Sequence, residues 1–338
     1  HPACALPRLF RRQQRLRPGR LPGRKGVCFT MDLLVGSTGF VGGNLLAAHR
    51  FSDARHSSDI AKSYGTRPDL CVYAGVPAAM FLANADPDAD LAVMKAAREN
   101  LRRIAPKQVV LVSSIAVYPD SRGKTESDAP DPADPALPAY GRNRRLLEQW
   151  VREDFPTALI LRLPALYGRG LKKNFLFDLH TITPAMLRPD KYAALAGKSA
   201  LVRDGYTLAD NGFYKLNGRA DPAALRAFFA ANDFNALAFT DSRSRYQFYN
   251  LGRLWQDITA ALDNGLTCLN LTPPPVCAAE VYTAVTGRTG WKNELEKPPF
   301  DYDLRSLHAG LLGGGDGYLC TVRQELDDIC RFMRDWRD

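Results

Sequence analysis

The sequence predicts an α/β chain: a doubly wound parallel sheet followed by a smaller carboxyl-terminal domain. Three observations carry this. Apolar runs of strand length recur near residues 33–35, 69–75, 108–114 and 157–163. Stretches with helical spacing of apolar residues lie between them. The turn Gly36-Ser37-Thr38-Gly39-Phe40-Val41-Gly42 joins the first run to the first helical stretch. Strands alternating with helices imply right-handed crossovers and a sheet covered on both faces.

Leu33-Leu34-Val35 reads as the first strand, with a helix running from the glycine turn to about His49. A short strand is expected near Asp53–His56, and a buried one over Asp69–Gly75, ending in the small residues Ala74 and Gly75. Leu91, Met94, Ala97 and Leu101 recur on one face of a helix over Asp88–Ile104. Gln108–Ser114 is a second buried strand. A loop rich in Pro and Asp, Asp120–Pro138, leads into a helix over Tyr140–Arg152. Thr157–Leu163 is the next strand. Beyond Pro164 the pattern loosens, with helices near Pro222–Ala231, Leu254–Leu262 and Ala278–Thr286 and a strand over Thr267–Leu271. A last amphipathic helix spans Thr321–Asp335.

The composition excludes several classes. A chain of 338 residues with 46% hydrophobic and 24% charged residues suits a soluble globular protein. No apolar run approaches bilayer length. Of the net charge of +9, eight units reside in residues 1–30, which hold eight basic residues and no acidic one, leaving 37 basic against 36 acidic residues elsewhere. That leader reads as a disordered extension ahead of Met31, and no nucleic-acid partner is expected. Its alternative is a basic arm that touches nucleic acid. The seven cysteines are scattered, without C-x-x-C spacing or clustering with the five histidines. Reduced thiols in a cytoplasmic protein and no metal site are therefore expected.

The glycine spacing G-x-x-G-x-x-G at 36, 39 and 42 stands between a strand and a helix. There the chain must turn sharply, and unpaired N–H groups at the helix start favour a pyrophosphate. This marks a dinucleotide site. Ser114 closes a strand, where ligands of open α/β sheets bind. Tyr140 and Arg144, four residues apart, share one face of a helix. A fixed cation beside a phenol favours phenolate, and a neighbouring serine hydroxyl can hold a substrate oxygen.

The ordered set Gly36-x-x-Gly39-x-x-Gly42, Ser113-Ser114-x-x-Val117-Tyr118, Glu126, Pro135, Tyr140 and Arg162-x-x-x-x-Tyr167-Gly168 resembles the extended short-chain dehydrogenase/reductase family, NAD-dependent epimerase/dehydratase-like. The resemblance spans 31 to about 335 and loosens after Gly168. It implies a Rossmann domain over 31–166 and a substrate domain over 167–338, partly interleaved with the Rossmann sheet. It also implies NAD or NADP as cofactor, a nucleotide-sugar or related polyol as substrate, and a homodimer. The activity would be that of an epimerase, dehydratase or reductase. Ser114 would then be the hydrogen-bonding catalytic residue and Tyr140 the acid/base. Arg144 replaces the family's lysine. It keeps the positive charge and can hold the ribose but cannot release a proton. That replacement leaves a dinucleotide-binding, non-catalytic or regulatory relative as the competing reading.

Gly36 through Gly42 form the expected pyrophosphate cradle. Near the end of the second strand, Arg55 and Ser57 lean towards the 2′-phosphate of NADP. A solvated loop without discrimination is the alternative. Asp59 and Ile60 resemble the family's adenine-contacting pair. Ala74 and Gly75 would line the cofactor channel, with Leu163 and Pro164 as further cofactor contacts. Asn174 stands where the family begins its substrate lobe and would contact a diphosphate, with Arg245 as a second clamp. Lys172 and Lys173 read equally as phosphate ligands or as a solvated basic turn.

Overall fold

The computed structural model describes residues 29–336. The expected disorder of the leader concerns residues of which 1–28 lie outside that range. Six parallel strands form the central sheet, in the order Cys268–Asn270, β5 (Leu159–Leu163), β4 (Gln108–Ser114), β3 (Leu70–Tyr73), β1 (Asp32–Val35) and β2 (Asp53–Arg55). The chain enters with β1, second from one edge, runs outward to the edge strand β2, then crosses back past β1 to β3. This reversal opens a crevice above the carboxyl ends of the strands.

Both faces are covered. On one, α3 (Pro87–Ile104) and α4 (Ala139–Asp154) pack against β1, β3, β4 and β5. Asp86 starts α3 by accepting from the Ala89 N–H at 3.1 Å, and Pro87 follows where a missing N–H costs nothing. Met94, Ala97, Leu101 and Ile104 are its buried stripe. On the other face lie α1 (Phe40–Ala48) and the helix Leu254–Asp263, whose Leu254, Ile258 and Ala261 share one core with Leu34, Val72 and Leu161.

The carboxyl-terminal half therefore contributes both a strand and a helix to the layers around the central sheet. Its remaining segments form two smaller cores. One surrounds Tyr167 and Phe248, where β6 (Ala165–Tyr167) pairs in parallel with Phe248–Asn250. The other gathers Leu187, Leu195, Val202, Tyr206, Leu225 and Phe229. It contains a three-stranded antiparallel sheet whose strands have two or three residues each, too short to show an alternating pattern. A short helix α2 (Met80–Ala85), also not expected from the sequence, precedes α3.

Among the described residues no helix is long and apolar enough to cross a membrane. Among them, too, no group of three His, Cys, Asp or Glu side chains is placed to hold a metal ion. Five cysteines fall in the described range, and all five are free thiols.

Candidate active site

The glycine turn sits at the carboxyl end of β1. Gly36 has φ +91°, and its N–H donates to the Arg55 carbonyl at 2.9 Å. A Cβ there would stand 2.4 Å from the Ala74 carbonyl oxygen, and one on Gly42 would stand 2.1 Å from the Gly36 oxygen. The first and third glycines are thus demanded by backbone-to-backbone packing. Gly39 has a looser surrounding, with 3.3 Å to the Gly36 oxygen, and it is the N-cap of α1. No side chain covers the N–H groups at that helix start, which leaves them for an anion. Ser37 is half-buried and Thr38 exposed on this turn, while Phe40 and Val41 pack against the core beneath it.

Neighbouring strand ends complete the groove. Arg55 closes β2 and accepts the N–H groups of Gly36 and Ser37 on its carbonyl. Its guanidinium reaches Asp53 at 2.8 Å and Asp59 at 3.6 Å. Asp59 also accepts the His56 N–H at 2.8 Å, which shapes the exposed loop carrying Ser57. Ile60 is buried with Val35 and Tyr73. Ala74 continues β3, donating to the Val35 carbonyl at 2.8 Å, and Gly75 faces Val35 with 3.1 Å from its Cβ position. Leu163 is buried at the end of β5 and Pro164 is half-buried beside it.

Successive residues of a strand point to opposite faces, and the serine pair at the end of β4 illustrates the consequence. Ser113 donates to the buried Glu148 carboxylate at 2.7 Å. Ser114, on the other face, is half-buried and accepts the Ala116 N–H at 3.1 Å. The amino end of α4 comes directly over this turn: a Cβ on Gly141 would lie 2.0 Å from the Ala116 carbonyl oxygen. Tyr140, one residue earlier, is therefore brought to the strand end that carries Ser114. Its N–H donates to the Asn84 side chain of α2 at 2.9 Å.

Arg144 departs from its expected placement. Its guanidinium carbon lies 3.7 Å from the centre of the Tyr140 ring, so the cation stays beside the phenol as anticipated. The ribose-holding role is the part to correct. Arg144 is only 4% exposed, and it donates to Asp90 at 2.6 Å and to the Pro77 carbonyl at 2.7 Å. Those bonds pin the group between helices.

The two substrate candidates also have partners within the protein. Asn174 caps α5 (Phe175–Thr181), accepting from Leu176 N–H at 3.0 Å and Phe177 N–H at 3.3 Å and donating to the Leu166 carbonyl at 2.8 Å. Both ends of its amide bond the backbone, with one N–H of the amide nitrogen remaining. Arg245 lies in a two-stranded ladder with Cys277, and its guanidinium stands 3.6 Å from Asp301. Of the two lysines, Lys173 donates to the Ala78 carbonyl at 3.1 Å, joining the substrate lobe to the loop after β3.

A buried polar network beneath the strand ends was not anticipated as a unit. Arg162, fully buried, binds Glu148 with two donors at 3.0 and 2.7 Å and the Tyr118 hydroxyl at 2.6 Å. Arg145 donates to the same carboxylate at 3.1 Å, and Asn270 donates to Tyr118 at 3.0 Å. Burial opposes charge on Glu148, but Arg162 outweighs it, aided by Ser113 and Arg145, and holds the carboxyl below its ordinary value. Burial pushes the Tyr118 phenol up to about 12. The signal available was an arginine inside an otherwise apolar strand, since a buried guanidinium needs a carboxylate partner.

Residues 33–185 match the family described as the RmlD substrate binding domain. No curated protein matches the chain. Among solved structures, a hypothetical dTDP-4-dehydrorhamnose reductase from Sulfolobus tokodaii is similar, with TM-score 0.57 and 15% identity over 88% of this chain and 98% of that one. A structure of RMD from Pseudomonas aeruginosa complexed with NADPH gives TM-score 0.54 and 17% identity over 90% and 99%. A UDP-galactose 4-epimerase gives 0.57 and 14% over 90% and 98%. At these identities the likeness establishes the fold.

Proposed function

From a chain whose residues 33–185 match the RmlD substrate binding domain, and whose fold is that of the extended short-chain dehydrogenases/reductases, we propose an NADP(H)-dependent enzyme acting on a nucleotide-linked sugar. The reaction class is ketone reduction, or the oxidation and return of hydride that underlies epimerisation or dehydration. The observation that carries this reading is the contact of Gly141 with the Ala116 carbonyl, which sets the acid/base helix over the Ser114 strand end.

The residues present fit the cofactor. The side-chain-free N-cap Gly39 offers the start of α1 to a pyrophosphate, and the close packing of Gly36 and Gly42 keeps the turn low. We assign the 2′-phosphate to Arg55, whose carbonyl holds that turn, with Asp59, Ile60, Ala74, Gly75, Leu163 and Pro164 as the remaining cofactor contacts. The structures similar to this one include complexes with NADPH and NADP, which supports the NADP reading. When bound, the nicotinamide supplies or accepts a hydride.

The protein's own part is proton management. The Tyr140 hydroxyl gives its proton to the developing sugar alkoxide in reduction, or takes the hydroxyl proton in oxidation. The Ser114 hydroxyl hydrogen-bonds that same oxygen and fixes its distance from the phenol. Arg144 acts through the ring: its guanidinium, held on the face of Tyr140, fixes the position of the phenol without contacting the cofactor. The division at residue 166, a homodimer through helices flanking the sheet, and residence in the cytoplasm complete the reading.

Calorimetric titration with NADPH and NADH, followed by turnover assays on uridine-, thymidine- and guanosine-linked keto-sugars, tests it. Binding of neither dinucleotide refutes the cofactor assignment. Turnover that survives Tyr140→Phe undiminished refutes the mechanism.

A further inference from the structure

A cavity of about 360 Å³ opens between the carboxyl-terminal helix Val322–Asp335 and the segment Phe248–Arg253. None of the candidate cofactor or catalytic residues lines it. Its wall carries three carboxyl groups, Glu325, Asp327 and Asp328, against the guanidinium groups of Arg253 and Arg331.

The least satisfied of these carboxyl groups is Glu325. Asp328 is satisfied by the Tyr167 hydroxyl at 2.6 Å, the Asn250 amide at 2.7 Å and Arg331 at 3.1 Å. Arg253 donates to the Leu312 carbonyl at 3.1 Å and stands 3.6 Å from Asp257. Glu325 is 4% exposed, and its Oε2 receives only the Cys320 thiol at 3.5 Å. Its buried Oε1 has no hydrogen-bond partner. A buried carboxyl oxygen left unpaired is costly, so the site calls for a donor.

We propose that this cavity binds a small aliphatic primary amine, its ammonium donating to the Glu325 carboxylate and its carbon chain lying against Leu312, Leu319 and Pro273. The groups that face Glu325 are Cys320, Asp328, Arg253 and Tyr167. Burial dominates and raises its carboxyl to about 8, with Asp328 adding to the rise and Cys320 and Arg253 opposing it. An arriving ammonium reverses that balance and ionises the group, so binding at pH 7 releases a proton.

The test is calorimetric titration of the full chain at pH 7 with n-butylamine and with 1-butanol, its neutral counterpart, in buffers of differing ionisation enthalpy. The amine is expected to bind saturably with close to one proton released, and the alcohol to bind at least about tenfold more weakly. Glu325→Gln mimics the protonated acid and keeps the fold, which circular dichroism verifies. It is expected to weaken the amine by about tenfold or more. Absence of amine binding, equal binding of the alcohol, or equal binding by the variant overturns the proposal. Dinucleotide binding is read separately and is unaffected by this outcome.

Discussion

Gly141 has no room for a side chain: its Cβ position lies 2.0 Å from the Ala116 carbonyl oxygen and 3.2 Å from Leu137. In an exposed helix, Gly→Ala would gain about 1 kcal/mol of propensity. Here the clash is with backbone, and overpacking of this kind costs about 1–3 kcal/mol. Gly141→Ala is expected to be net destabilising in urea unfolding. It is also expected to lower turnover by about tenfold or more, because Tyr140 must ride outward with its helix. A more stable, fully active variant contradicts the placement of α4.

Arg144 separates two roles that a lysine would combine. Because its donors go to Asp90 and Pro77, Arg144→Lys is expected to leave the NADPH dissociation constant within about twofold while reducing kcat about tenfold or more. A large change in cofactor affinity would instead place the guanidinium on the ribose. Asp90→Asn breaks a buried ion pair and is expected to cost about 3–5 kcal/mol of stability, read by chemical denaturation.

Arg55 bears on cofactor choice. Charge-assisted hydrogen bonds contribute about 1.5–3 kcal/mol. Arg55→Ala is therefore expected to weaken NADPH by about tenfold to a hundredfold and leave NADH nearly unchanged. Its guanidinium already pairs with Asp53 and Asp59, which places the effect at the lower end of that range. Equal loss for both dinucleotides shows that the arginine only supports the turn.

The central sheet was legible because its buried parallel strands are short apolar runs set between longer stretches with helical spacing, whereas the half-buried β2, Asp53-Ala54-Arg55, is not such a run. Ser114, Tyr140 and the glycine turn were legible for a related reason: each sits at an element end, where sequence order and spatial position coincide. The fates of Asn174 and Arg245 were not. A side chain's choice between a ligand and its own backbone depends on contacts such as Asn174 with Leu166. The Glu148–Arg162 pair was equally hidden, since it joins a helix to a strand and local periodicity does not report which charges meet. The Asp90–Arg144 pair joins residues 54 positions apart.

Glu325 also makes stability depend on pH with a definite sign. Its carboxyl is raised from 4.5 to about 8 in the folded protein by burial. Between those values the unfolded chain has already given up the proton that the native state keeps. Fewer protons on the unfolded state mean that stability falls as pH rises through this window. Asp178, raised from 3.8 to about 7 by burial, acts in the same direction over an overlapping range. Asp154, lowered to about 2 chiefly by Arg98, works oppositely, and its contribution is lost as pH falls below about 5. Urea unfolding from pH 5 to pH 9 is therefore expected to show declining stability in the wild type and a shallower decline in Glu325→Gln. Parallel curves for the two proteins would show that Glu325 is as well solvated in the native state as in the unfolded one.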